Sequence, residues 1–128
     1  MTAQISTHMK AQRAGYAGLA ILLLVSVVVE VAHHSTGYWQ IAVFALGPDL
    51  PLLFGTGDGL ERGQLHPRAV RPYNLVHRFW GPIALITLGA TGLLETGWMI
   101  GGLTWAFHIA LDRSLGYGLR TSNGFQRD

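Results

Sequence analysis

A chain of 128 residues, 49% of them apolar and 12% charged, forms one unit, too short for two domains with separate cores. Its formal net charge of +2 does not mark a nucleic-acid binder. The basic residues are grouped beside apolar runs, where Arg orients a helix or meets anionic lipid headgroups. The absence of Cys excludes disulfides, thiolate metal sites and Cys nucleophiles, so any metal must be held by His, Asp or Glu.

The nine Lys and Arg residues occur in three places only: Lys10 and Arg13; Arg62, Arg68, Arg71 and Arg78; Arg113, Arg120 and Arg127. Each gap between these groups holds two apolar runs. Basic residues of short loops stay on the cytoplasmic side. The pattern therefore predicts an all-α, four-transmembrane-helix bundle, a single integral domain over residues 1–128 with both termini and the central loop inside. A bacterial inner membrane is the expected location. The outer connections carry Glu30 and Glu95 in place of basic residues.

The first span is expected over about 14–32, with Leu22-Leu23-Leu24-Val25 at its centre. It lacks a small-x-small cleavage site and reads as a retained helix rather than a signal peptide. Glu30, His33 and His34 form a solvated outer end. The second span, about 38–54, starts at the interfacial pair Tyr38-Trp39 and is interrupted by Gly47-Pro48-Asp49-Leu50-Pro51, because proline removes a donor and clashes with the preceding turn. A cytoplasmic loop follows from Gly55 to Arg71. The third span, about 72–94, opens on Pro72, and the fourth, about 97–115, ends at Gly116-Tyr117-Gly118. Gly97-x-x-x-Gly101 is a close-packing motif within the chain. The polar tail from Arg120 is expected to be loose.

Helical rise converts position into depth. Asp49 follows Tyr38, and His108 follows Gly97, by the same number of residues, which places both roughly 17 Å from the outer end at about 1.5 Å per residue. Asp112 shares the face of His108 one turn deeper, and His77 approaches the same layer from the third span. Unpaired charges at that depth cost roughly 2.5–3.5 kcal/mol each. Asp49, His77, His108 and Asp112 should therefore converge as a metal set for zinc, iron or manganese, with Tyr73 and Asn74 supporting them. His66 is a candidate fifth ligand or general base. The competing arrangement is an ion-pair network joining Asp49 and Asp112 to Arg78 and Arg113.

Pro48-Asp49, Tyr73-Asn74-x-x-His77 and His108-x-x-x-Asp112-Arg113-x-x-Gly116-Tyr117-Gly118-Leu119 together resemble a small bacterial four-helix membrane family, domain of unknown function 4260, over roughly residues 14–125. Many of its members continue with Thr-His-Leu-Gly after the final Phe. This chain instead reads Phe125-Gln126-Arg127-Asp128 and has His66 where Asn is expected. A looser similarity, in spacing alone, extends to inner-membrane metal-dependent hydrolases and through them to zinc phospholipase C and nuclease P1 types. That resemblance implies a mononuclear or dinuclear site with a metal-bound water as nucleophile. It makes Asp49, His77, His108 and Asp112 the ligands and places Arg78 and Arg113 near an anionic group. The expected activity is a metal-dependent hydrolase, with zinc or iron as the divalent cofactor, acting on a lipid-like or amphiphilic molecule among membrane lipids. A non-haem iron oxidoreductase and a non-catalytic accessory subunit of a homo-oligomer or larger membrane complex are the alternatives.

Overall fold

A computed structural model describes residues 2–127, apart from the side chains of Thr2, Ala3 and Ile5. It is all-helical apart from one isolated bridge between Arg120 and Gln126. α1 spans Thr2–His34. Its partly or fully buried positions, Tyr16, Ala17, Ala20, Leu23, Ser26, Val27, Glu30 and Val31, recur at helical spacing and form one stripe against the last helix. The rest of its apolar run is bare. Ile21, Leu22, Val25, Val28 and Val29 are all more than half exposed.

α1 is also the one helix among the described residues that is long and apolar enough to cross a membrane. The second and third predicted spans are interrupted. α2, Tyr38–Leu46, gives way to a 3-10 segment over Gly47–Phe54 containing Pro48 and Pro51. The two prolines thus break the helix where they were expected to. The third span is not continuous either. A 3-10 turn at Pro67–Ala69 leads into α3, Val70–Val76, and a separate helix α4 runs only over Trp80–Ala90. The interruption at His77-Arg78-Phe79 falls just before Gly81-Pro82, where Pro82 can give no N–H to the Arg78 carbonyl, a signal the apolar pattern alone passes over. Pro72 sits in the first turn of α3, where its missing N–H has no intrahelical partner to lose.

α5, Thr96–Ser114, is the central element and packs against α1, α2 and α4. Glycines set these approaches. A Cβ on Gly97 or Gly101 would come within 3 Å of the Gln40 or Phe44 side chain of α2, so the Gly97-x-x-x-Gly101 motif does pack within the chain.

The tail is not loose. Thr121 N–H donates to the Phe125 carbonyl (2.8 Å), and Gly124 adopts φ +99° to close the turn. The Asn74 carboxamide accepts from Arg120 N–H (2.7 Å) and donates to its carbonyl (2.9 Å). Leu65 N–H donates to Gly124 O (2.9 Å). Turn chemistry at Thr121, Asn123 and Gly124, with Asn74 as clamp, holds the tail on the central loop above the small core of Leu65, Ala69 and Tyr73.

Candidate metal centre

The cluster is assembled by the two helix breaks. Ala45 lies in the last turn of α2, and the 3-10 pattern that follows directs donors three residues back. The residue three positions after Ala45 is Pro48, which has no N–H. The Ala45 carbonyl is thus available, and His108 Nδ1 lies 2.8 Å from it. At the other break His77 ends α3 with φ −104° and ψ 19°, and its Nδ1 lies 2.8 Å from Tyr73 O. A carbonyl oxygen only accepts, so each Nδ1 carries the proton and each Nε2 presents a lone pair when the ring is neutral. This is the orientation second-sphere carbonyls impose on metal-bound imidazoles.

Both Nε2 atoms face the same two carboxylates. His77 Nε2 is 3.5 Å from Asp49 Oδ1 and 3.2 Å from Asp112 Oδ2, and His108 Nε2 is 3.2 Å and 3.4 Å from the same atoms. One donor atom from each of the four residues lies within 4.8 Å of all the others. Of the four contacts only His108 to Asp49 has hydrogen-bond geometry, and the buried His77 Nε2 has no hydrogen-bond partner. Donors placed about 2.0–2.2 Å from a tetrahedral ion are separated by roughly 3.3–3.6 Å, so separations of 3.2–3.5 Å are close to those a shared cation would need and also fit paired His–Asp contacts. Side-chain exposure rises from 3% at His77 and 10% at His108 to 22% at Asp112 and 45% at Asp49. The group is therefore closed behind the imidazoles and open at Asp49.

The remaining candidates fall elsewhere. Tyr73 stacks on the His77 ring, centroids 3.9 Å apart, and supplies the orienting carbonyl, whereas Asn74 serves the tail. His66 is outside the group; its Nδ1 caps the 3-10 turn by accepting from Arg68 N–H. Arg78 is exposed. Among the described residues Arg113 does not pair with a carboxylate. It donates to Tyr16 Oη (3.0 Å) and to the His77 carbonyl (3.2 Å) and lies over the Tyr16 and Phe79 rings. The expected Arg–Asp network is thus not formed. Trp105 Nε1 donates to Val76 O (2.7 Å), so two α5 side chains cap the carbonyls that the α3 break leaves free. Sequence reading missed Ala45 and Trp105 in these roles. The Ala45 carbonyl was deducible from Pro48, and the second break is marked by Gly81-Pro82 just after it, but the α5 side chains that cap its carbonyls were not deducible.

Glu30 and His34 form a pair at 3.1 Å, one helical turn apart, and among the described residues they belong to no group of three potential ligands. That is the solvated end expected of them.

Fold and site define a helical protein in which two interrupted helices and α5 enclose a His2Asp2 group. The chain belongs to the family described as domain of unknown function (DUF4260), whose model matches residues 15–128. No curated protein and no solved structure matches it.

Proposed function

We propose that this is a multi-pass membrane protein in which Asp49, His77, His108 and Asp112 hold a divalent zinc or iron ion, and that it hydrolyses a lipid-like or amphiphilic substrate at the cytoplasmic leaflet. The observation that carries the metal reading is the pair of imidazoles fixed by backbone carbonyls with both Nε2 atoms aimed at two carboxylates. Membrane embedding is supported by the exposed apolar residues. Besides those on α1, Leu46, Leu53, Phe54, Trp80, Ile83 and Leu93 are each more than half exposed, far more apolar surface than a soluble monomer leaves uncovered. Together α2 and the 3-10 segment extend roughly 30 Å at the rises of the two helix types, about the thickness of the hydrocarbon layer.

A bound zinc or iron ion would lower the pKa of a coordinated water. The protein's part is to orient the imidazoles and to keep water away behind them. Asp49, the most exposed member, is placed to accept the proton of an attacking water. A second reading rests on the number of donors. Four protein ligands complete a tetrahedron, the closed form of a structural ion, and such an ion would lock the two helix breaks together in an accessory subunit.

Elemental analysis of the purified full chain, prepared without chelators, tests the proposal. About one zinc per chain supports the metal reading, with turnover of a phosphodiester substrate by the loaded chain telling hydrolysis from a structural ion, and about one iron supports oxygen chemistry in the same residues. No metal, with stoichiometric protein partners, supports an accessory role and overturns the metal reading. Orientation has its own test. A Ser35→Cys variant should react with a membrane-impermeant maleimide in intact cells, and reaction only after permeabilisation would reverse the topology.

A further inference from the structure

Away from the metal centre, a cleft of about 600 Å³ opens between the first turns of α1 and the segment that follows α5. Lys10, Arg13, Arg113 and Arg127 all line it, together with Tyr16 and Tyr117, and among the described residues no carboxylate does. Four like charges on one cavity repel one another unless an anion lies among them. Three of the four retain unused donors. Arg13 spends its Nε on the Ser114 carbonyl (2.9 Å) and its terminal nitrogens have no partner, while the side chains of Lys10 and Arg127 have none among the described residues. Gly116, at φ +92°, ends α5 beneath the Arg13 guanidinium, so the chain turn itself forms part of the wall.

The cleft also has an apolar margin. Met9, Leu115 and Tyr117 beside it are 44%, 56% and 52% exposed, and the uninterrupted apolar run of α1 starts at Ala14, one residue beyond Arg13. Basic side chains are thus concentrated where an apolar helix would leave the hydrocarbon layer, the level of lipid phosphates.

We infer that this cleft binds the phosphate of an anionic phospholipid headgroup, with the acyl chains lying along the exposed apolar margin. The inference rests on membrane embedding and does not require the metal.

The test uses the full chain in maltoside micelles, titrated separately with dihexanoyl phosphatidylglycerol, dihexanoyl phosphatidylcholine and inorganic phosphate. The wild type should bind the phosphatidylglycerol at least tenfold more tightly than either other probe. The double variant Lys10→Gln with Arg127→Gln changes two exposed side chains and should keep the thermal midpoint. At about fivefold per charge it should lose roughly twentyfold in affinity. Equal affinity for the zwitterionic lipid, or an unchanged preference in the double variant, overturns the site. Inorganic phosphate binding as tightly as the lipid overturns the lipid assignment. His108→Ala is expected to keep the lipid preference while losing metal, which separates failure of the metal reading from failure of this one. A chain that alkaline washing releases from membranes overturns the membrane reading and this proposal with it.

Discussion

Replacing His108 with Ala is expected to remove the bound metal. Loss of a group that only orients a ligand already lowers metal affinity about 10- to 100-fold, so loss of a donor should lower it at least as far. No Cys or further imidazole stands in the group to replace it. His77→Ala should do the same, with an additional structural effect, because His77 is 3% exposed and ends α3. Glu30→Gln, His33→Ala and His34→Ala should leave the metal content unchanged, since none of these residues belongs to the group. Acidification through the imidazole range should release the ion from the wild type, because His binds a metal only when neutral. Elemental analysis of the variants side by side checks all of this. Full loading of the His108→Ala protein would sink the assignment.

An alternative without metal places a proton between each imidazole and the carboxylates. It predicts imidazolium pairs, for which a direct N–H to oxygen line is required. Each Nε2 carries a single N–H, so such pairs would show about two direct lines among the four contacts, and one is present. The carbonyl acceptors at Ala45 and Tyr73 fit either case, and metal content separates the two.

Several features of this centre were legible in the sequence because they follow from spacing. The equal count from Tyr38 to Asp49 and from Gly97 to His108 set two residues at one level, and the i,i+4 relation added Asp112. Pro48 announced the first break. The second break is marked by Gly81-Pro82 just after it, but what holds it was not legible. It is held by partners distant in sequence, Trp105 on the Val76 carbonyl and Arg113 on the His77 carbonyl. The same limit applies to Arg113 and His66. Their residue types suggest work on an anion or a proton, yet the fold uses one to cap a broken helix and the other to cap a 3-10 turn. The tail was misread for a related reason. Thr121-Ser122-Asn123-Gly124 is polar, and polarity alone reads as disorder, whereas a Thr and a left-handed Gly close a turn that Asn74 can clamp.

Gly89 offers the largest stability effect. A Cβ added there would lie 2.5 Å from the backbone nitrogen of Met99, 2.7 Å from its Cβ and 2.8 Å from its Cα. Backbone atoms cannot turn aside as a flexible side chain can, so Gly89→Ala must drive the end of α4 away from the start of α5. Overpacking ordinarily costs about 1–3 kcal/mol and occasionally more, and this position belongs at or above the top of that range. Gly18 provides the contrast. It lies inside α1 with nothing within 4 Å of an added Cβ, so Gly18→Ala should change stability by no more than the roughly 0.5–1 kcal/mol that separates the two residues in a helix, in the stabilising direction. Thermal unfolding in one detergent measures the pair. The metal centre gives the second readout, because α5 carries His108 and Asp112 while α4 directly follows the break that holds His77. Displacement of α4 should therefore weaken metal binding in Gly89→Ala, and Gly18→Ala should keep it. A Gly89→Ala protein with wild-type stability and full metal content would show that α4 and α5 do not meet as closely as described, and that α4 has no part in holding the site.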